Sequence, residues 1–70
     1  MIKGWKVALK MLEEGATIEY TQWGIEYPVY IRLGDRFERL HLNSWHAVRK
    51  RCELEYKYSN LSVTANLKRG

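Results

Sequence analysis

The chain has one cysteine, Cys52, and one proline, Pro28, in its seventy residues. A lone cysteine excludes an intrachain disulfide, so no covalent staple holds this short sequence together. With only two histidines, His41 and His46, there is also no paired ligand spacing of the kind a structural zinc needs. No metal and no other cofactor is expected. Long apolar runs are missing too. The first hydrophobic stretch is broken by Lys3, Lys6 and Lys10, which excludes a secretory core or a membrane span there. An unpaired thiol fits a reducing compartment, so the expectation is a soluble, cytoplasmic protein with no membrane partner. Phosphate-binding glycine loops, nucleophile elbows and HExxH are all absent, and the carboxylates form no evident catalytic pair. An enzyme is therefore not expected.

What the chain does have is aromatic residues: three Trp, five Tyr and one Phe. A domain of this length buries a small share of its surface, and large rings are the means left to build its core. A homodimer that hides some of them is a further expectation. The net charge of +4 favours anionic partners.

Periodicity divides the chain cleanly, with no linker or repeat. Residues 2–14 read as a helix with Ile2, Trp5, Ala8, Leu9, Met11 and Leu12 on one arc. Gly15 stands where a helix needs a residue of positive φ to stop. Residues 16–22 then alternate as a strand, with Ile18 and Tyr20 on one side. Residues 29–33 and 36–41 form a hairpin about Gly34-Asp35, a type II′ signal. Asn43 or Ser44 caps a second helix that runs to Cys52, with Trp45, Val48 and Cys52 as its apolar stripe. Residues 54–58 and 61–67 alternate strictly about a turn at Ser59-Asn60, which pairs Tyr58 with Leu61 and Tyr56 with Val63. The expected fold is one α+β domain over residues 1–70, in the order α-β-β-β-α-β-β. Its sheet is mostly antiparallel, and two helices pack on it.

Three groups of residues are candidates for binding. In the central hairpin, Tyr30, Arg32, Phe37, Arg39 and His41 share one face, a mixture that stacks bases and neutralises phosphate. The same set also reads as a second core layer covered by arginine stems. Lys3, Lys6 and Lys10 form a basic stripe that fits a phosphate backbone, or a solvated helix face. Arg49, Lys50 and Arg51 form a basic run that fits either an anion or the helix C-terminal dipole. Trp23 and Tyr27 lie in the loop before Pro28, where aromatics mark contact sites or plug the end of a small sheet. Cys52, on an apolar stripe, reads as a structural thiol.

Over residues 8–33, the pattern Ala8-Leu9, Leu12, Gly15, Ile18, Trp23 and Tyr30-Ile31 resembles small phage and prophage proteins of the Thoeris anti-defence family. The resemblance implies a phage-encoded accessory protein in the host-cell cytoplasm that sequesters a nucleotide signal. Glu19, Tyr20, Thr21 and Gln22 stand where that family carries basic residues, and residues 43–67 have no counterpart in it. The order helix, three strands, helix is shared with double-stranded-RNA-binding domains, but here the second helix opens on Ser44-Trp45-His46-Ala47 rather than on lysines. Taken together, the expectation is a non-enzymatic binder of a nucleotide or nucleic acid. The alternatives are a module that binds and inhibits a host protein, and a small DNA- or RNA-binding regulator.

Overall fold

The computed structural model describes residues 1–21 and 28–69. Seven elements follow in the expected order: α1 (Trp5–Glu13), β1 (Thr17–Thr21), β2 (Val29–Leu33), β3 (Arg36–Leu40), α2 (Leu42–Arg51), β4 (Leu54–Tyr58) and β5 (Ser62–Leu67). The strands make one sheet in the order β3-β2-β1-β5-β4, and every strand pair is antiparallel. β1 is central because it is paired on both sides, by its hairpin partner β2 and by the distant β5. The chain leaves the sheet at one edge, β3, and re-enters at the other, β4. α2 makes that crossing.

Both helices lie on one face. Ala8, Met11 and Leu12 of α1 and Trp45 and Val48 of α2 form a single buried cluster with Ile18, Val29, Ile31, Leu40 and Ala65. Burying each of the larger side chains stabilises by about 1.5–3 kcal/mol, and Trp45, with no exposed surface, is the largest of them. Tyr20 lies with its ring centroid 5.5 Å from that of Trp45. The helix-to-strand turn after α1 is a Schellman motif. Gly15 N–H donates to Leu12 O at 3.0 Å and Ala16 N–H to Met11 O at 2.9 Å, with Gly15 at φ 106°. At the other turn, Gly34 has φ 59° while Asp35 keeps a negative φ, in keeping with the expected type II′ hairpin, and Leu33 pairs with Arg36.

Three local expectations are corrected. α1 begins at Trp5 rather than Ile2, because Ile2 forms a parallel bridge to Leu40. Ile2 N–H donates to Arg39 O and His41 N–H to Ile2 O, each at 2.8 Å. Gly4, extended at the N-cap, divides that bridge from the helix. The cap of α2 is His41, whose Nδ1 accepts from Asn43 N–H at 3.1 Å. Ser44, one of the expected caps, instead donates its hydroxyl to the carbonyl of Lys3. In the C-terminal hairpin the turn is centred on Asn60-Leu61, so Tyr58 pairs with Val63 and Tyr56 with Ala65. Ser59 N–H to Ser62 O (3.0 Å) and the Ser59–Ser62 hydroxyl contact (2.8 Å) close it. The shift is two residues, so each side chain keeps its face. Only Leu61 is displaced, into the turn, where it is exposed.

Candidate functional site

The sheet face opposite the helices is where the hairpin's aromatic and cationic residues come together. Strand register sets it out in rows. Arg39, Tyr30, Glu19, Thr64 and Lys57 cross the sheet in one row, and Phe37, Arg32, Thr17, Asn66 and Glu55 in the next. Asn66 bonds through its amide to Thr17 Oγ1 (2.8 Å) and Ala16 O (3.2 Å), which fixes β5 against the start of β1.

The Tyr30 and Phe37 ring centroids lie 5.1 Å apart at 42°. Phe37 is 45% exposed, far too open for a core residue. The two rings thus make an open aromatic step. The Arg32 guanidinium lies 4.6 Å from the Phe37 centroid and 3.4 Å from Glu19. It is therefore committed twice, as a cation on the ring and as partner of the one carboxylate beside Tyr30. Arg39, directly across from Tyr30, makes no ion pair with any described residue and stays exposed. A groove of about 260 Å³ runs past the rings, lined by Glu19, Tyr20, Thr21, Pro28, Tyr30, Phe37 and Ser62. It falls below the roughly 300–1,000 Å³ of pockets that enclose whole small molecules. Its shape suits one flat ring laid against the step. A second hollow of about 390 Å³ lies at the β2–β3 end of the sheet, between Met1, Pro28, Arg39 and His41, so Arg39 borders the rings on one side and this hollow on the other.

The remaining sequence candidates lie elsewhere. Lys6 and Lys10 are on α1, in the helical layer, and Lys3 precedes the helix, so the three do not form a single helical stripe. Lys6 Nζ stands 5.7 Å and the Arg51 guanidinium 4.2 Å from the Trp5 ring centroid, and Arg49 lies 5.4 Å from that of Trp45. Arg51 also donates to Ala47 O at 3.4 Å. Much of this basic cluster thus covers the molecule's own tryptophans; Lys50 points to solvent beside it. His41, expected on the hairpin face, is taken up as the cap of α2. Trp23 and Tyr27 lie outside the described residues. Cys52 ends α2 with its thiol donating to Val48 O at 3.3 Å. Burial first, and the Glu13 carboxylate second, push the thiol above its ordinary pKa, the reverse of what a nucleophile needs. Among the described residues, no three His, Cys, Asp or Glu side chains group to hold a metal.

Glu19 and Lys57 belong to this face and are absent from the sequence candidates. Their alternation points them outward, but Glu19 stands beside Tyr30 only because β1 pairs with β2, and Lys57 lies three strands from Tyr30. No protein-family model, curated protein or solved structure matches the chain. No helix among the described residues is long and apolar enough to cross a membrane.

Proposed function

We propose that this protein is a non-enzymatic binder of a ligand that joins an aromatic base to a phosphate, and that the ligand lies on the helix-free sheet face. The observation that carries this reading is the exposed step of Tyr30 and Phe37, flanked by Arg32 and by Arg39, which has no ion pair among the described residues. A base stacks on the rings and Arg39 meets the adjoining phosphate. Arg32, held by Glu19, keeps the Phe37 ring in place. The open, shallow groove favours a single nucleic-acid strand over an enclosed free nucleotide. A nucleotide signal, as the resemblance over residues 8–33 implies, has the same chemistry and is the second source of ligand for the same face. The basic cluster around Trp5 is on the opposite side and takes no part.

The test is fluorescence anisotropy with labelled single-stranded DNA and RNA of about eight nucleotides, competed by mononucleotides. Binding is expected to weaken roughly tenfold or more in Phe37→Ala, with the fold intact by circular dichroism. In Arg39→Ala the slope of log affinity against log salt falls by about 0.7, one phosphate's worth. Lys10→Ala, on the far side, leaves binding unchanged. Strong competition by mononucleotide identifies the free nucleotide as the natural source. Absence of binding to all these ligands at low salt overturns the proposal, as does a Lys10→Ala loss equal to that of Phe37→Ala.

A further inference from the structure

β4 is the last strand of the sheet, and no described residue pairs with its outer edge. Two backbone bonds show which of its groups point there. Lys68 N–H donates to Glu53 O at 3.1 Å and Ser59 N–H to Ser62 O at 3.0 Å, so residues 53 and 59 face β5. Hydrogen bonding alternates along an antiparallel strand, so Glu55 and Lys57 also face β5. Leu54, Tyr56 and Tyr58 therefore turn their N–H and C=O groups outward, where no described residue pairs with them.

We propose that this edge pairs with the same edge of a second copy of the chain, antiparallel about Tyr56, and joins the two sheets into one. Outward residues must meet outward residues, so the allowed registers step by two. Centred on Tyr56, Leu54 meets Tyr58 of the second copy and Glu55 meets its Lys57, twice over by symmetry. The Glu55 and Lys57 pairs fall at the positions where cross-strand side chains stand closest. The next register in one direction sets Glu55 against Glu55, and in the other Lys57 against Lys57. Of these three alignments, charge thus favours the one about Tyr56, which sets no like charges opposite each other. On the opposite face, Leu54, Tyr56 and Tyr58 form the apolar side of the seam. The Tyr56 and Tyr58 rings stack at 6.4 Å, and Tyr58 is 70% exposed in the single chain. The other sheet edge is already taken in part, because Ile2 bonds the Arg39 carbonyl of β3 and the His41 N–H just beyond it. Lone charges on edge strands commonly discourage pairing; here two opposite charges spaced about Tyr56 favour one self-pairing.

Sedimentation of the full chain at about 100 µM in low salt, a range suited to modest self-affinity, is expected to give twice the 8.4 kDa chain mass. Glu55→Lys alone and Lys57→Glu alone each place like charges across the seam and raise the dissociation constant about tenfold. Mixing these two variants restores pairing, since each uniformly charged edge then faces its opposite, and this recovery excludes misfolding as the cause. Tyr58→Pro removes an outward N–H without touching the bonds to β5, and is expected to give a folded monomer. A single-chain mass for the unaltered protein at that concentration overturns the proposal. So does a dimer indifferent to both charge changes and to their mixing. The readout is mass and the seam excludes Phe37 and Arg39, so this proposal stands or falls separately from ligand binding.

Discussion

Gly15 has a backbone conformation that only glycine adopts cheaply. At φ 106° it lies beyond the left-handed region that other residues sometimes visit, while an added Cβ would meet no atom within 4 Å. The cost of Gly15→Ala is therefore conformational rather than steric. It should destabilise by about 1–2 kcal/mol and lower Tm by roughly 5–15 °C in a thermal melt. That role is legible in the sequence, since a glycine after an amphipathic run is a helix stop. Phe37 is a different case. Its exposure follows from standing on the face that neither helix covers, and alternation alone cannot say which face that is.

At the scale of elements, the C-terminal hairpin shows how alternation constrains a strand. Any slip by two residues keeps the apolar face intact, so the pattern settles the face and leaves the register open. The turn settles the register, through the Ser59–Ser62 pair that flanks Asn60-Leu61. This has a measurable consequence. Leu61→Ser, in the turn, should change stability by no more than about 0.5 kcal/mol. Val63→Ala, with Val63 fully buried opposite Tyr58, should cost about 2 kcal/mol in urea unfolding. In the register expected from Ser59-Asn60, Leu61 would lie on the apolar face and its loss would be comparably costly. The start of α1 shows a related limit. Ile2 has the helical spacing of a core residue, and it is buried, but as a strand residue.

At the scale of the whole molecule, a domain of this size has roughly 4–10 kcal/mol of stability. Its two sheet edges are treated unequally. The N-terminal segment bridges the end of β3 through Ile2, a buried residue with two backbone bonds, while no described residue pairs with the outer edge of β4. Ile2→Ala should cost at least about 2 kcal/mol by chemical denaturation, a large part of the total. The same arrangement separates the two proposed surfaces: the proposed ligand face is centred on β2 and β3, and the proposed pairing edge is at β4. Pairing through β4 would carry two ligand faces on one continuous sheet.

The order of elements, the faces of the strands, the stop at Gly15 and the turn at Gly34-Asp35 follow from the sequence by itself, because each rests on local geometry and on a period of two or 3.6. That Tyr30, Arg32, Phe37 and Arg39 share a face is local in the same way, set by one two-residue turn. The tertiary structure decided what periodicity has no means to encode. It put both helices on the other face, leaving those rings open. It set Glu19 beside Arg32 by placing β1 next to β2, and brought Arg51 of α2 over the Trp5 ring of α1. These contacts join separate elements, and only the packing of the sheet and its helices brings them within reach.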